Sequence, residues 1–333
     1  MKDYLTIIIP TYNRNIRLFR LLKYFETVNF NPLILILDSS TKHNSILDLR
    51  SLKKKSNIIH YTYNDVSPIE KICHGIQHVS TPYALICADD DFISPNAILE
   101  CISFLESHLD YYSVQGRYIA FWIKNYELIR YNPAYFQGRN LYTNNSNCQN
   151  RFEHFFSSYT PIVYSVLRYD ILKELCQIVN IPELLHNNAS TLIELIFPFL
   201  VLIYGNYKML PIFYAAREGV LPYPRKIYPT VCSLLTNNEY SSIVNSFYNL
   251  LESIIMKRYS YSKAQSTKIV SVGLNNYLNF VKKVQNGAIL REASKKHIKG
   301  EAGYPFYNNT QAIREWERME YFIRLSLQLG LDG

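Results

Sequence analysis

Three carboxylates stand in a row at Asp89, Asp90 and Asp91, directly after the apolar stretch from Tyr83 to Ala88 and directly before Phe92 and Ile93. Adjacent anions repel, and a fold tolerates them where a divalent cation offsets their charge and takes carboxylate oxygens as hard ligands. The chemistry this suggests is a metal held at a strand end; the other reading is an acidic turn that caps the next helix. A further acid, Asp38, closes the run Leu33 to Leu37 in the same way and is followed by Ser39 and Ser40. Downstream, Glu194 lies in the apolar segment Thr191 to Ile196, where burial would raise its pKa toward the range of a general base. Thr191 and Glu194 also have capping-box spacing, so the glutamate is either a base or a helix cap.

These acids need elements to position them. Tyr4 to Pro10 is a β-branched run that stops at the proline, and Thr11 to Arg14 lead into a helical pattern with Leu18, Leu22 and Phe25 on one face. A second strand ends at Asp38, and a third, Ile58 to Tyr63, ends in Asn64 and Asp65. Ser67-Pro68-Ile69-Glu70 combines a capping box with proline at the first helical position, and Ser94-Pro95 opens another helix carrying Ile98, Cys101, Ile102 and Leu105. Strands alternating with helices over residues 1 to 110 predict a parallel, twisted α/β sheet. Such sheets present ligands outside the carboxyl ends of their strands, where these polar residues fall.

Ile7-Ile8-Ile9-Pro10-Thr11-Tyr12-Asn13-Arg14, Asp38-Ser39-Ser40 and Ala88-Asp89-Asp90-Asp91-Phe92 resemble the nucleotide-sugar-binding half of glycosyltransferases with the GT-A fold. Ser67 to Ile72, Thr81-Pro82-Tyr83 and Val114-Gln115-Gly116-Arg117-Tyr118 are similar to a bacterial branch of inverting enzymes found in surface-polysaccharide clusters. The resemblance is good through Arg117, patchy from there to Glu218, and absent beyond Tyr240. It implies a GT-A (Rossmann-like), mostly parallel sheet flanked by helices. It also implies a catalytic domain over residues 1–235, divided into a nucleotide-sugar-binding half (1–118) and an acceptor half (119–235), with a basic helical C-terminal region over 236–333.

The implied activity is a metal-dependent, inverting transfer of sugar from a nucleotide-sugar donor to a glycan or lipid-linked acceptor. In that family Asp91 matches the direct ligand of Mn²⁺ or Mg²⁺, and Asp89 the acid nearer the ribose or the metal. Asp38 matches the acid that holds the base or ribose. Pro10, Thr11, Tyr12, Arg14 and Asp90 fall at the nucleotide end, and Lys71 in its helix's first turn approaches the diphosphate. Arg117 and Arg217 are phosphate or acceptor contacts by virtue of their planar forks, although either could pair with an acid. Glu194 stands where inverting members place their base, with Glu153 as the alternative. A nucleotidyl- or phosphosugar transferase on a related sheet would also need acids and metal, but the Thr11 to Asn15 loop lacks the glycine expected of a triphosphate cradle. A non-catalytic nucleotide-sugar-binding module is disfavoured by the intact acidic triplet.

The 333 residues, 48% of them hydrophobic, suffice for one sizeable catalytic domain and an appendage. Six cysteines form no C-x-x-C pair and read as reduced core residues. No signal segment is recognisable at the start, and the longest apolar run, Leu192 to Tyr204, is too short to span a bilayer and contains Glu194 and Pro198. The expected location is the cytoplasm. Residues 241–333 hold 13 Lys and Arg against 7 Asp and Glu, a net of +6 out of the chain's +8, with basic clusters at Lys282-Lys283 and Lys295-Lys296-Lys299. That tail is either a solvated helical surface or a peripheral contact with anionic lipid at the inner face of the membrane. No nucleic-acid-binding motif accompanies the charge, so a nucleic-acid partner is not expected. Tyr142 to Asn150 reads as a mobile lid, and the 29 tyrosines are too evenly spread to mark an acceptor subsite.

Overall fold

The computed structural model describes residues 1–41, 57–64, 66–124, 127–131, 142–177, 181–185, 187–219, 229–285 and 310–328. Asp65 and the lysines at 295, 296 and 299 lie outside them. Four parallel strands come first: β1 (Leu5–Thr11), β2 (Leu33–Asp38), β3 (Ile58–Thr62) and β4 (Tyr83–Ile86). Helix α1 (Asn15–Thr27) follows β1, and α2 (Pro68–Gln77) precedes β4. As the sequence predicts, α2 starts at its proline, with the Ser67 hydroxyl accepting from the Glu70 amide at 3.3 Å. Such a cap contributes about 1 kcal/mol.

The remaining strands are β5 (Phe92–Ile93), β6 (Tyr111–Lys124), β7 (Glu127–Tyr131), β8 (Val166–Arg168) and β9 (Asn206–Glu218), giving the order β3-β2-β1-β4-β8-β6-β9-β5 with β7 paired to β6. β8 runs antiparallel between β4 and β6, and β6 and β9 are parallel to each other. The triplet leaves the end of β4, and the chain crosses to pair β5 with β9 in antiparallel register, Phe92 opposite Ala216. One step further in that register sets Asp91 beside Arg217.

Helix α3 (Pro95–Ser107) is capped by Ser94, as expected. The chain after β7 contributes α4 (Cys148–Phe156), α5 (Tyr169–Leu175), α6 (Pro182–Leu185), a 3-10 turn over Asn187–Leu192 and α7 (Ile193–Tyr204). Leu195 to Ile203 are buried on every side of α7, as a helix apolar all round must be. The stretch read as a lid is instead built in. Tyr142 bridges to Lys208 of β9, and Asn147 caps α4 through the amides of Gln149 and Asn150.

The C-terminal region forms α8 (Val231–Thr236), α9 (Ser241–Tyr259), α10 (Lys263–Gln285) and α11 (Thr310–Gln328). α9 and α10 pack on α4 and α7, and α11 lies against α1 and β9. Trp316, Met319 and Ile323 of α11 join the same core as the sheet, each worth about 1.5–3 kcal/mol of apolar burial. α2 approaches the sheet so closely that a Cβ at Gly75 would stand 2.6 Å from Leu37 Cδ1 and 3.3 Å from Ile8 Cγ2. Among the described residues no helix is long and apolar enough to cross a membrane.

Candidate active site

Register alone brings the first acids together. Thr11 pairs with Asp38, and Ile8 with Ile86, so three residues past Ile86 the chain is level with Thr11 again. There the Thr11 hydroxyl donates to Asp89 Oδ2 at 2.7 Å. The β1–α1 loop turns through Asn13 at φ 53°, a left-handed conformation that asparagine tolerates better than most residues. Asn13 N donates to Ser40 Oγ at 2.8 Å, and Thr41 N to Asn13 Oδ1 at 3.1 Å, which fastens this loop to the end of β2. Lys71 is buried beneath both, its Nζ donating to the Thr11 carbonyl at 2.9 Å and Ser39 Oγ at 2.8 Å. Burial lowers the Lys71 pKa, against the pull of Asp38 and Asp89. Pro10 is half-buried in β1, whereas Tyr12 projects into solvent with 57% of its surface exposed.

Asp38 accepts from the Ser40 amide at 2.8 Å and meets His60 Nε2 at 3.1 Å. Burial favours its neutral form, but the His60 and Ser40 hydrogen bonds outweigh it and hold the carboxyl at about 2. The triplet behaves oppositely. Burial, with the neighbouring Asp90 adding to it, pushes Asp89 up to about 6 despite Thr11 and Arg14. Burial takes Asp91 to about 7, opposed first by Arg217, and raises Asp90 against Arg14. Arg14 Nη1 reaches Asp90 Oδ2 at 2.6 Å and Asp89 Oδ1 at 3.3 Å. Asp91 accepts from Arg217 Nε at 3.2 Å and from the Glu218 amide at 3.0 Å.

Three residues absent from the sequence-based site complete this ionic cluster. Arg17 and Arg20 both bind the Glu218 carboxylate, at 2.9 and 2.6 Å, and Arg20 also donates to the Asp90 carbonyl at 3.0 Å. Burial favours neutral Glu218, but Arg20 and Arg17 hold its carboxyl below the ordinary range. Arginines 14, 17 and 20 fall three apart, so they share one side of α1's first turns. That stripe was a readable signal. His60 was another, a polar residue inside the apolar strand I-I-H-Y-T.

Arg217 is held flat as well as charged, its Cζ 4.2 Å from the Tyr164 ring centroid and 4.9 Å from that of Tyr118. Glu194 lies within electrostatic reach of this guanidinium and of Tyr164. The glutamate is exposed yet hemmed in by protein, as a side chain on a cleft wall is. That crowding raises its pKa and Arg217 lowers it, the first effect being larger. The capping box does not form. Leu192 is the N-cap with no side-chain cap bond, and the Thr191 hydroxyl is buried without a partner. Glu153, the alternative base, is exposed on α4 and accepts from Gln149 at 2.8 Å. Arg117 is half-buried at an irregular step in the β6–β9 register, its Nε unpartnered.

The sheet is mixed rather than mostly parallel, its first four strands parallel and β5, β7 and β8 antiparallel to their neighbours; with acids at its strand ends and helices on its flanks it is the GT-A class of fold. Residues 6–167 match the model of the family described as glycosyl transferase family 2. The chain thus has the GT-A fold, and its residues 6–167 carry the sequence pattern of a nucleotide-sugar-dependent glycosyltransferase. Among solved structures it is similar to S. aureus TarS 1-349, with 12% identity over 97% of this chain and 80% of that one and a TM-score of 0.56. The same protein in complex with UDP-GlcNAc gives 12% identity, 98% and 92% coverage and a TM-score of 0.57. In complex with UDP the values are 13%, 98%, 92% and 0.53. No curated protein matches in sequence.

Proposed function

We propose that the chain is an inverting, metal-assisted glycosyltransferase that moves a sugar from a uridine-diphosphate donor to a hydroxyl of a surface glycan or lipid-linked acceptor. The observation that carries this reading is the row of strand-end acids facing, past Arg217, a crowded but solvent-accessible Glu194. UDP and UDP-GlcNAc in the TarS structures support the choice of donor. Asp38 keeps its charge, and a carboxylate has about four lone-pair sites, so it can still accept from a base N–H or ribose hydroxyl. Arg14 and Arg217 line the diphosphate side, while Lys71 braces the floor below.

Among the described residues no three acidic, histidine or cysteine side chains converge as a metal cage, because Asp89 and Asp90 turn to Arg14 and Asp91 to Arg217. Mg²⁺ or Mn²⁺ at a phosphate site needs only one or two carboxylates, the substrate supplying the rest. Asp91, with Asp89, fits that requirement as a hard oxygen donor. The ion would stabilise charge on the departing diphosphate. Glu194 takes the acceptor hydroxyl's proton as the new bond to the anomeric carbon forms and the diphosphate leaves with the old bond's electron pair, which inverts that centre.

Thermal melting with UDP, other nucleoside diphosphates and Mn²⁺ tests the donor, since ligands of the native state raise stability by mass action. UDP with Mn²⁺ should stabilise most; no shift with any nucleotide defeats the reading. Glu194→Gln should bind the donor and lose about 100- to 10,000-fold in rate. Peripheral contact through 241–333 predicts salt-sensitive sedimentation with anionic vesicles, and equal behaviour with neutral ones defeats it.

A further inference from the structure

Pro198 lies inside α7, and a proline has no N–H to give the carbonyl four residues back. That carbonyl belongs to Glu194. A backbone acceptor that loses its helical donor takes another partner within reach, and here the Tyr159 hydroxyl donates to the Glu194 carbonyl oxygen at 3.0 Å. Tyr159 comes from the turn after α4. Its ring stands edge-on to Tyr277 of α10, 4.9 Å between centroids at 82°, and near Phe280 of the same helix at 6.3 Å. Both tyrosines are buried. Burial pushes the Tyr277 phenol far above its usual range, and the charge of Glu194 adds to the push.

We propose that Tyr159 is a positioning residue for Glu194, filling the hydrogen-bond place that Pro198 leaves open, and that helix α10 is a working part of the site because Tyr277 holds Tyr159 there. The inference rests on Glu194 as the base. A base acts only within hydrogen-bond reach of the proton it takes, and a misplacement of about 1 Å can cost about a hundredfold. Proline loosens the first turn of α7, and the tyrosine pair from α10 secures it again. The C-terminal region then enters the reaction through geometry, independent of any lipid it meets.

The test uses the full chain, with UDP release from UDP-GlcNAc and Mn²⁺ as the activity and amide hydrogen exchange over residues 193–197 as an independent readout. Tyr159→Phe removes one oxygen; kcat should fall about tenfold or more, with donor KM changed less than about twofold, and exchange should rise. Adding Pro198→Ala restores a backbone N–H at 198 and should recover most of both losses, which a general packing defect would not. In a Glu194→Gln background Tyr159→Phe should cost nothing further, because the two act as one unit. Tyr277→Ala should repeat the defect, while Tyr277→Phe keeps the ring and largely escapes it. Native kcat and native exchange in Tyr159→Phe, or a loss that Pro198→Ala leaves untouched, overturns the proposal. If Tyr159→Phe fails to fold, equal behaviour of Tyr277→Ala and Tyr277→Phe overturns it instead. An active Glu194→Gln enzyme defeats the base reading alone, since the exchange result stands apart from it.

Discussion

Asp38, the last residue of β2, and Asp91, five residues past the end of β4, are the same side chain and are nearly equally buried at 3% and 5% exposure. Their acidities differ by some five units, about 2 against about 7. Burial is the largest influence on both and is deeper around Asp91, and the partners differ as well. Asp38 faces a backbone amide, a hydroxyl-bearing turn and His60, with no second acid bonded to it. Asp91 has a guanidinium and an amide, but Asp90 stands next to it. One acid is settled by the protein alone; the other keeps an unmet demand for positive charge, which suits a residue that shares a cation with its substrate.

The largest effect expected from breaking this contrast is on the demanding acid. Asp91→Asn should fold and should lose about a hundredfold or more in kcat, the scale of removing one preorganised electrostatic stabiliser, together with the Mn²⁺-dependent part of nucleotide binding. Normal turnover with donor and metal would take Asp91 out of the site. Next comes Asp38→Ala, which should raise donor KM about tenfold and leave kcat nearly unchanged, as loss of a charged hydrogen bond made equally in ground and transition states does. Unchanged nucleotide affinity in calorimetry would remove Asp38 from the pocket.

Stability against pH sharpens the contrast with no substrate present. The depressed acid, Asp38, contributes stability above its unfolded value of about 4, and that contribution is lost as pH falls through about 2. The raised acid, Asp91, contributes fully below about pH 4, and its contribution is lost as pH rises through about 7. Metal-free protein should therefore melt lower as pH climbs from 4 to 8, and Asp91→Asn should flatten that decline. A decline as steep in the variant as in the native chain would refute the raised acidity. The smallest effect is reserved for His60→Gln, which keeps a donor near Asp38; donor KM should rise about threefold, the scale of one weakened hydrogen bond. A rise matching that of Asp38→Ala would mean that His60 touches the donor itself.

The first half of the chain was legible because each apolar run there stops at polar residues, so strand ends announce themselves. β1, β2 and β4 fall within a residue or two of where the pattern places them, and Ser67 and Ser94 cap the helices they were expected to cap. The partners of Asp91 were not legible. Arg217 and Glu218 reach it through an antiparallel pairing over a hundred residues away, which no local pattern encodes. Glu194 shows how a local motif can mislead. Thr191-x-x-Glu194 has the capping spacing, but the 3-10 turn before α7 shifts the helix start by one residue, and the box has nothing to close. The supposed lid failed for a similar reason, since the asparagines that suggest a loop serve as cap and edge contacts.

The close approach at Gly75 sets the distance between α2 and the sheet beneath it. Lys71 stands one turn earlier on α2, and its amine reaches the Thr11 carbonyl because the helix rides a glycine's distance from Leu37 and Ile8. A methyl group at 75 would press first on the ends of the Leu37 and Ile8 side chains, and whatever that packing does not absorb would be passed to Thr11 through the side chain that ties the helix to it. Position 75 is therefore tied to the loop after β1 through Lys71.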